Sequence, residues 1–289
     1  MTTAADVPGT RGLVLGGGGV TGIAWQVGVL AGLQAAGVHL ADADAVIGTS
    51  AGAFVGAALA SGFDLQQLFD AQAATSDAEV SAVASEQVMA QWYQAFATGG
   101  TDRDKVGAAM GRIGKTHPAP VPLAQRRAVV RSRLTTTRWP ANLQVTAIDA
   151  DTGQLHVFDA NSGVSLVDAV SASGAVPGVW PLERFVDRSW VDGGMVSTAN
   201  AHLADGFERV VVIAPMPDGY GAIPGAKQDV AGLRAHSHVL LVCPDDASVA
   251  AVGPNIYDPT RRGPAAAAGR QQGTDLAPAV HDTWSVPAR

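Results

Sequence analysis

Cysteine is almost absent from this 289-residue chain: Cys243 stands alone, which excludes an intrachain disulfide and a cysteine-built metal site. It lies in the apolar run 238–243, where a buried strand thiol is expected. Aromatic residues make up 6% of the chain and charged residues 16%, and no basic block forms. With 19 Lys and Arg against 26 Asp and Glu, the net charge of −7 argues against nucleic acid as a partner. Unbroken apolar runs are lacking too. Stretches 12–34 and 45–63 carry no charge, yet glycines interrupt them, four in succession at 16–19, so neither suits a membrane span or the core of a signal peptide. A soluble, cytoplasmic protein is expected.

What the chain does have is glycine, 34 residues without a collagen-like period, and a hydrophobic content of 47%. The apolar run 12–15 stops at glycines, as a buried parallel strand does, and Ile23, Val27, Leu30 and Leu33 share one face of a helix that Gly37 closes. The pattern repeats with a strand at 45–47 and a small-residue helix over 51–60. Strands alternating with helices predict an α/β fold with a parallel sheet. From Leu65 to about Gly111 the pattern is helical, broken at 98–104; a basic helix follows over 123–134. Residues 143–148 and 154–158 flank a hairpin turn, and 166–172 form a helix. The segment 184–191 has mixed strand character, 209–214 is a buried strand, 215–235 a loop and 264–273 a helix. We expect a tail at 1–10, one domain over 11–280 with 63–122 as a helical cover, and a second tail at 281–289.

Three short motifs carry chemistry. Gly48-Thr-Ser-Ala-Gly52 fits G-x-S-x-G between a strand and a helix, where small neighbours allow a turn sharp enough to expose the serine Oγ. The helix start beneath Ser50 supplies partial positive charge and unbonded N–H groups to a developing oxyanion. Gly16-Gly-Gly-Gly-Val-Thr-Gly22 ends the preceding strand, and its backbone can face an anion without Cβ obstruction. Two anions fit that turn. Gly17, Gly19 and Gly22 satisfy G-x-G-x-x-G, with Asp42 or Asp44 about twenty residues on, as a dinucleotide site requires; alternatively the turn serves acyl transfer at Ser50. A nucleophile elbow at the adjacent strand favours acyl chemistry. Asp192-Gly-Gly194 is the third motif, a plain turn if read alone, but also a carboxylate that is deprotonated at neutral pH.

The ordered set Gly17-Gly-Gly-Val-Thr-Gly22, Gly48-Thr-Ser-Ala-Gly52 and Asp192-Gly-Gly194 resembles bacterial members of the patatin-like phospholipase family. So do Trp139-Pro-Ala-Asn-Leu-Gln-Val-Thr-Ala-Ile-Asp149, Ser171-Ala-Ser-Gly-Ala-Val-Pro-Gly178 and Gly253-Pro-Asn-Ile-Tyr-Asp-Pro-Thr-Arg-Arg262, so that the resemblance spans about 11–272. It implies a three-layer α/β/α fold with a mostly parallel central sheet and a Ser-Asp dyad in place of a triad. Ser50 is then the nucleophile, Asp192 its base, and Gly17, Gly18, Gly19 and Ala51 the oxyanion-hole donors. The implied reaction is hydrolysis of a lipid acyl ester, phospholipid or lysophospholipid, through an acyl-serine intermediate without metal or organic cofactor. Many family members carry Arg or Lys where this chain has Thr21, and Cys or Ala where it has Gly174.

Other residues carry weaker signals. His202, His236, His238 and His281 all follow Ser50 and Asp192 in the order a triad permits, but none has a supporting motif. Asp149 and Asp151 fit a turn better than a metal pair. Arg261 and Arg262 suit an exposed helix start better than a phosphate site. Leu65, Leu68, Phe69, Val88, Met89, Trp92, Tyr93 and Phe96 suit a cover over an acyl pocket, and Trp92 with Tyr93 suits transient contact with a membrane surface. An acyltransferase or thioesterase would use the same residues, and a non-enzymatic nucleotide-binding protein would use the glycine turn alone.

Overall fold

Residues 10–74 and 82–285 are described in the computed structural model of the chain. β1 (Arg11–Leu15), α1 (Gly19–Ala35), β2 (Ala45–Thr49) and α2 (Ala51–Ala60) form two successive strand-loop-helix units. Helices α3 (Leu65–Ala73), α4 (Glu86–Gly99), α5 (Arg103–Thr116) and α6 (Leu123–Arg133) follow. The antiparallel pair β3 (Leu143–Asp149) and β4 (Leu155–Phe158) leads into α7 (Leu166–Ser173) and a second pair, β5 (Glu183–Phe185) and β6 (Arg188–Asp192). The remaining elements are β7 (Arg209–Ile213), α8 (Ala226–Leu233), β8 (His238–Val242), α9 (Asp246–Val252) and α10 (Arg262–Trp284).

The central strand β1 pairs in parallel with β2 and β7, and β3 and β8 extend the parallel set on either side. Alternation along these strands creates two core faces. Leu13 and Leu15, with Val211 and Ile213, point into the layer of α1, α2, α7 and α10, whereas Val14, Val210 and Val212 point into the opposite layer with α8. On the antiparallel side, Ile148 and Val191 pack with residues of α4 and α5. The fold is therefore three-layer α/β/α around a mostly parallel sheet. Helix α1 is buried almost all round because α10 lies against it. A Cβ added to Gly28, Gly32, Gly269 or Gly273 would come within 2.1 to 2.3 Å of a carbonyl oxygen of the facing helix, so the two backbones meet directly.

β2 pairs with β3 only as far as Thr49, opposite Thr146, while β4 takes the other edge of β3 from Val145 to Ile148. The antiparallel β6 therefore joins β3 on the edge that β2 leaves, with Asp192 opposite Ala147. The C-terminal ends of β2 and β6 meet head to head along one edge of one strand.

The structure corrects several expectations. The region 215–235 is a loop only in its first part; α8 forms from Ala226, capped where Gln228 Oε1 accepts from Gly225 N–H at 2.9 Å and buried through Ala226, Val230 and Leu233. α9 has no helical pattern in the sequence to mark it, although Asp245 caps it by accepting from Ser248 N–H at 2.8 Å. The segment 184–191 is a hairpin, turned by Val186 and Asp187 at φ 53° and 55°. β8 is the sheet edge, which leaves Cys243 half-buried rather than enclosed. The last helix runs past 280 to Trp284, so the first residues of the expected tail are helical. Trp284 is buried and donates from Nε1 to Asp42 Oδ1 at 2.8 Å.

Candidate active site

Ser50 is the single residue between β2 and α2, at φ 52° and ψ −113°. A non-glycine residue held there costs about 1–3 kcal/mol and persists only where its surroundings enforce it. Two glycines make the turn sterically feasible. A Cβ on Gly52 would sit 1.9 Å from the Leu15 carbonyl oxygen, and one on Gly48 would sit 2.7 Å from Ala53 Cα. Hydrogen bonds then lock it: Ser50 N–H donates to Ser173 Oγ at 2.8 Å, and Gly52 N–H donates to the Gly16 carbonyl at 3.1 Å.

Asp192 ends β6, 3% exposed, and meets Ser50 where the two strand ends converge. Burial pushes its carboxyl up to about 7; hydrogen bonding from the Ser50 side chain and from Gly194 N–H, together with the charge on Arg126, restrains that rise. The Gly194 N–H lies 2.7 Å from Asp192 Oδ1. A carboxylate in this state is a far stronger base than one in water, where about 3.9 is usual.

Sequence reasoning missed the residue that ties these two together. Asn200 is fully buried in the left-handed conformation (φ 52°, ψ 37°), and its Nδ2 donates to Thr49 Oγ1 and to the Gly193 carbonyl, both at 3.1 Å. Thr49 Oγ1 also meets Thr146 Oγ1 at 2.8 Å. Asn200 N–H donates to Ser197 Oγ, which donates to the buried Asp229; Asp229 in turn faces Arg103 and His202. Hydrogen bonding and the charges of His202 and Arg103 hold the Asp229 carboxyl below its usual value despite its burial. The left-handed preference of Asn is a weak local signal, and the partners that give this one meaning lie far off in the chain.

The glycine turn is less uniform than the sequence suggests. Gly17 N–H donates to the Thr198 carbonyl at 2.8 Å, so Gly17 leaves the set of expected oxyanion donors. Gly18 caps α1, Gly19 begins it, and Ala51 begins α2, positions whose N–H groups have no intrahelical acceptor. Gly19 adopts φ +62°, and a Cβ there would lie 2.5 Å from the Ile256 carbonyl oxygen. Thr21 is buried, with its N–H donating to that same carbonyl at 3.1 Å, so it brings no charge to the turn.

A cavity of about 540 Å³ opens over these groups, lined by Gly18, Gly19, Ser50 and Asp192 at one end. Met89, Trp92, Tyr93 and Phe96 of α4, with Val83, Met195, Ile256 and Tyr257, give it an apolar wall. Trp92 is anchored by donation from Nε1 to the Pro177 carbonyl at 3.2 Å, whereas Tyr93 is 74% exposed at the rim. The expected cover thus divides: α4 walls the cavity, while Leu65, Leu68 and Phe69 of α3 pack with the main core.

Elsewhere, Asp149 makes a turn, accepting from Asp151 and Thr152 N–H at 2.8 and 3.2 Å and pairing with Arg188. Arg262 Nη2 donates to the Ala71 carbonyl at 2.9 Å. Among the described residues no His, Cys, Asp and Glu cluster could hold a metal ion, and no helix is long and apolar enough to cross a membrane.

A family model for patatin-like phospholipases matches residues 13–205. No curated protein matches the chain. Among solved structures, VipD from Legionella pneumophila is similar at 15% identity and TM-score 0.48, over 94% of this chain and 67% of that one. The type III effector ExoU is similar at 16% identity and TM-score 0.44, over 94% and 53%. ExoU from Pseudomonas aeruginosa in complex with SpcU gives 18% identity and TM-score 0.37 over 92% and 52%, so the chain spans about half the length of ExoU.

Proposed function

The chain belongs to the patatin-like phospholipase family, and from that premise we propose that it is a serine acyl hydrolase that cleaves phospholipid or lysophospholipid esters with Ser50 and Asp192 as its dyad. The observation that carries this reading is the head-to-head meeting of β2 and β6, which sets a strained serine against a buried carboxylate. Ser50 Oγ attacks the ester carbonyl as its proton passes to Asp192. The oxyanion forms beside the N–H groups of Gly18, Gly19 and Ala51. On collapse the alcohol leaves with the proton from Asp192, and the acyl group stays on Ser50. Water then attacks the acyl ester, gives its proton to Asp192, and the fatty acid departs as Ser50 Oγ recovers a proton. The apolar wall of the cavity favours an acyl chain over a nucleotide.

The test is covalent. A fluorophosphonate or a slowly deacylating ester should add its mass to the Ser50 peptide, and Asp192→Asn should slow that addition by about 1,000-fold, the scale on which losing the general base is felt. Label on another residue would defeat the proposal.

A further inference from the structure

Tyr257 is fixed in place, yet its hydroxyl has no task in the fold. Its N–H donates to Asn255 Oδ1 at 3.0 Å, and Thr21 N–H donates to the carbonyl of the preceding Ile256 at 3.1 Å, which pins the segment to the glycine turn. The ring meets Trp180 edge-on, with 6.3 Å between centroids and 86° between planes, and Trp180 is itself held by the Arg126 guanidinium, 4.1 Å from its centroid. Among the described residues the Tyr257 hydroxyl has no hydrogen-bond partner, and it is not sealed off from the hollows that the residue lines. A buried phenol ordinarily has one. Burial, with Tyr220 and Asp192 nearby, pushes its pKa above the usual value, so the group is a donor at neutral pH.

Ser50 stands between two hollows of very different size. Gly19, Ser50, Val176 and Tyr257 line the large cavity and also a hollow of about 20 Å³, to which Ala51 and Trp180 contribute as well. The small hollow has room for about one water-sized group. Once Ser50 has attacked an ester, four groups surround the reacting carbon: Ser50 Oγ, the acyl chain, the alcohol and the former carbonyl oxygen. Chain and alcohol are both far larger than a water, so the oxygen is the one that fits. Two of the three proposed backbone donors, Gly19 and Ala51, border this hollow. Besides Ser50, Tyr257 brings the one hydroxyl to it among the described residues. Arg126 and Arg133 border it too, each with partners of its own, and Arg126 acts on the buried Glu183 and Asp192.

We propose that the small hollow is the oxyanion pocket and that Tyr257 Oη is its side-chain donor, a further catalytic residue. This rests on the acyl hydrolase reading and deepens it. As Ser50 Oγ bonds to the ester carbon, its proton passes to Asp192 and the carbonyl π pair moves onto oxygen. That oxygen accepts from Gly19 N–H, Ala51 N–H and Tyr257 Oη–H, and Tyr257 keeps its proton throughout. On collapse the pair returns to carbon and the alcohol leaves with the proton from Asp192. A donor fixed in advance, in a space too small for bulk water, acts strongly on charge that develops there.

The experiment is Tyr257→Phe, which keeps the ring against Trp180 and gives up no hydrogen bond among the described residues. Its kcat/KM should fall about 100-fold, the scale on which one oxyanion donor is felt, alike for p-nitrophenyl butyrate and monobutyrin, with the loss in kcat rather than KM. A dodecyl trifluoromethyl ketone, to which Ser50 adds as an ionised hemiketal, should bind more weakly by the same factor, and the unactivated methyl ketone of the same chain by less than about threefold. Tyr257→Met, which also lacks the hydroxyl, repeats the test if Tyr257→Phe does not fold. A loss confined to monobutyrin would place the hydroxyl at the leaving alcohol, and equal weakening of the two ketones would make it part of the cavity wall; either overturns the proposal. If the parent hydrolyses both esters and the variant loses less than about threefold, the donor fails and the hydrolase reading stands. If neither ester is hydrolysed but the trifluoromethyl ketone adds to Ser50 and Tyr257→Phe weakens it about 100-fold, the hydrolase reading fails and the donor stands. A parent whose Ser50 takes up no trifluoromethyl ketone overturns both.

Discussion

Asn200 donates its side-chain amide to the hydroxyl of Thr49 at 3.1 Å, and the same nitrogen reaches the Gly193 carbonyl at 3.1 Å. Thr49 precedes Ser50 and Gly193 follows Asp192, so one buried amide fixes the separation of the two strand ends. Asn200→Ala should lower kcat for ester hydrolysis by about 10–100-fold, matching the loss of about 1–3 kcal/mol from buried hydrogen bonds. KM should change little, and the rate at which a fluorophosphonate modifies Ser50 should fall in step with kcat. A drop in melting temperature with an unchanged modification rate would leave Asn200 a purely structural role.

The raised Asp192 carboxyl links activity and stability to pH. Its folded value of about 7 lies above the ordinary carboxylate value of 3.8, so folding favours the protonated form. The penalty is absent below pH 4, grows between pH 4 and 7, and is complete above. Asp192→Asn should therefore stabilise the protein by on the order of 4 kcal/mol at pH 8 and by little at pH 4, as urea denaturation at the two values will read. Hydrolysis by the parent should rise with pH through a single ionisation near 7.

Strain at Ser50 gives a different signature. Glycine accepts φ 52° and alanine does not, so Ser50→Gly should be more stable than Ser50→Ala by about 1–2 kcal/mol, although the proposed dyad requires both to be inactive. Equal stabilities in thermal denaturation would mean that the elbow stores no strain.

The proposed oxyanion donors separate in the same way. A Cβ on Gly18 would lie 2.5 Å from Pro215 Cβ, whereas one on Gly17 would lie 3.3 Å from the Thr198 carbonyl oxygen. Gly18→Ala should cost about 100-fold or more in kcat by shifting a donor N–H. Gly17→Ala, whose N–H is already bonded to Thr198, should cost less than a tenth as much. Equal losses would return Gly17 to the donor set.

The parts legible in the sequence are those whose chemistry is local. Glycines that stop an apolar run mark β1 and β2, and the helix over 51–60 has the bounds of α2 because its small residues and its flanking turns agree. The motif around Ser50 is legible for the same reason: its glycines are next to the residue that needs them. Asn200 and Arg126 are not, since their partners are brought near by the order of strands rather than by spacing along the chain. Gly17 shows the limit within a motif, where a tertiary contact with Thr198 decides which of three like glycines keeps its N–H. The helices after Pro224 and Cys243 depend on short caps that composition hides in a loop-like stretch.

The most direct test of the central claim is hydrolysis of p-nitrophenyl butyrate by the parent, Ser50→Ala and Asp192→Asn, with His281→Ala, exposed near the end of α10, as the control. Both variants of the proposed dyad should lose activity by about 1,000-fold or more while the control retains it. Hydrolysis that survives Ser50→Ala would contradict that claim.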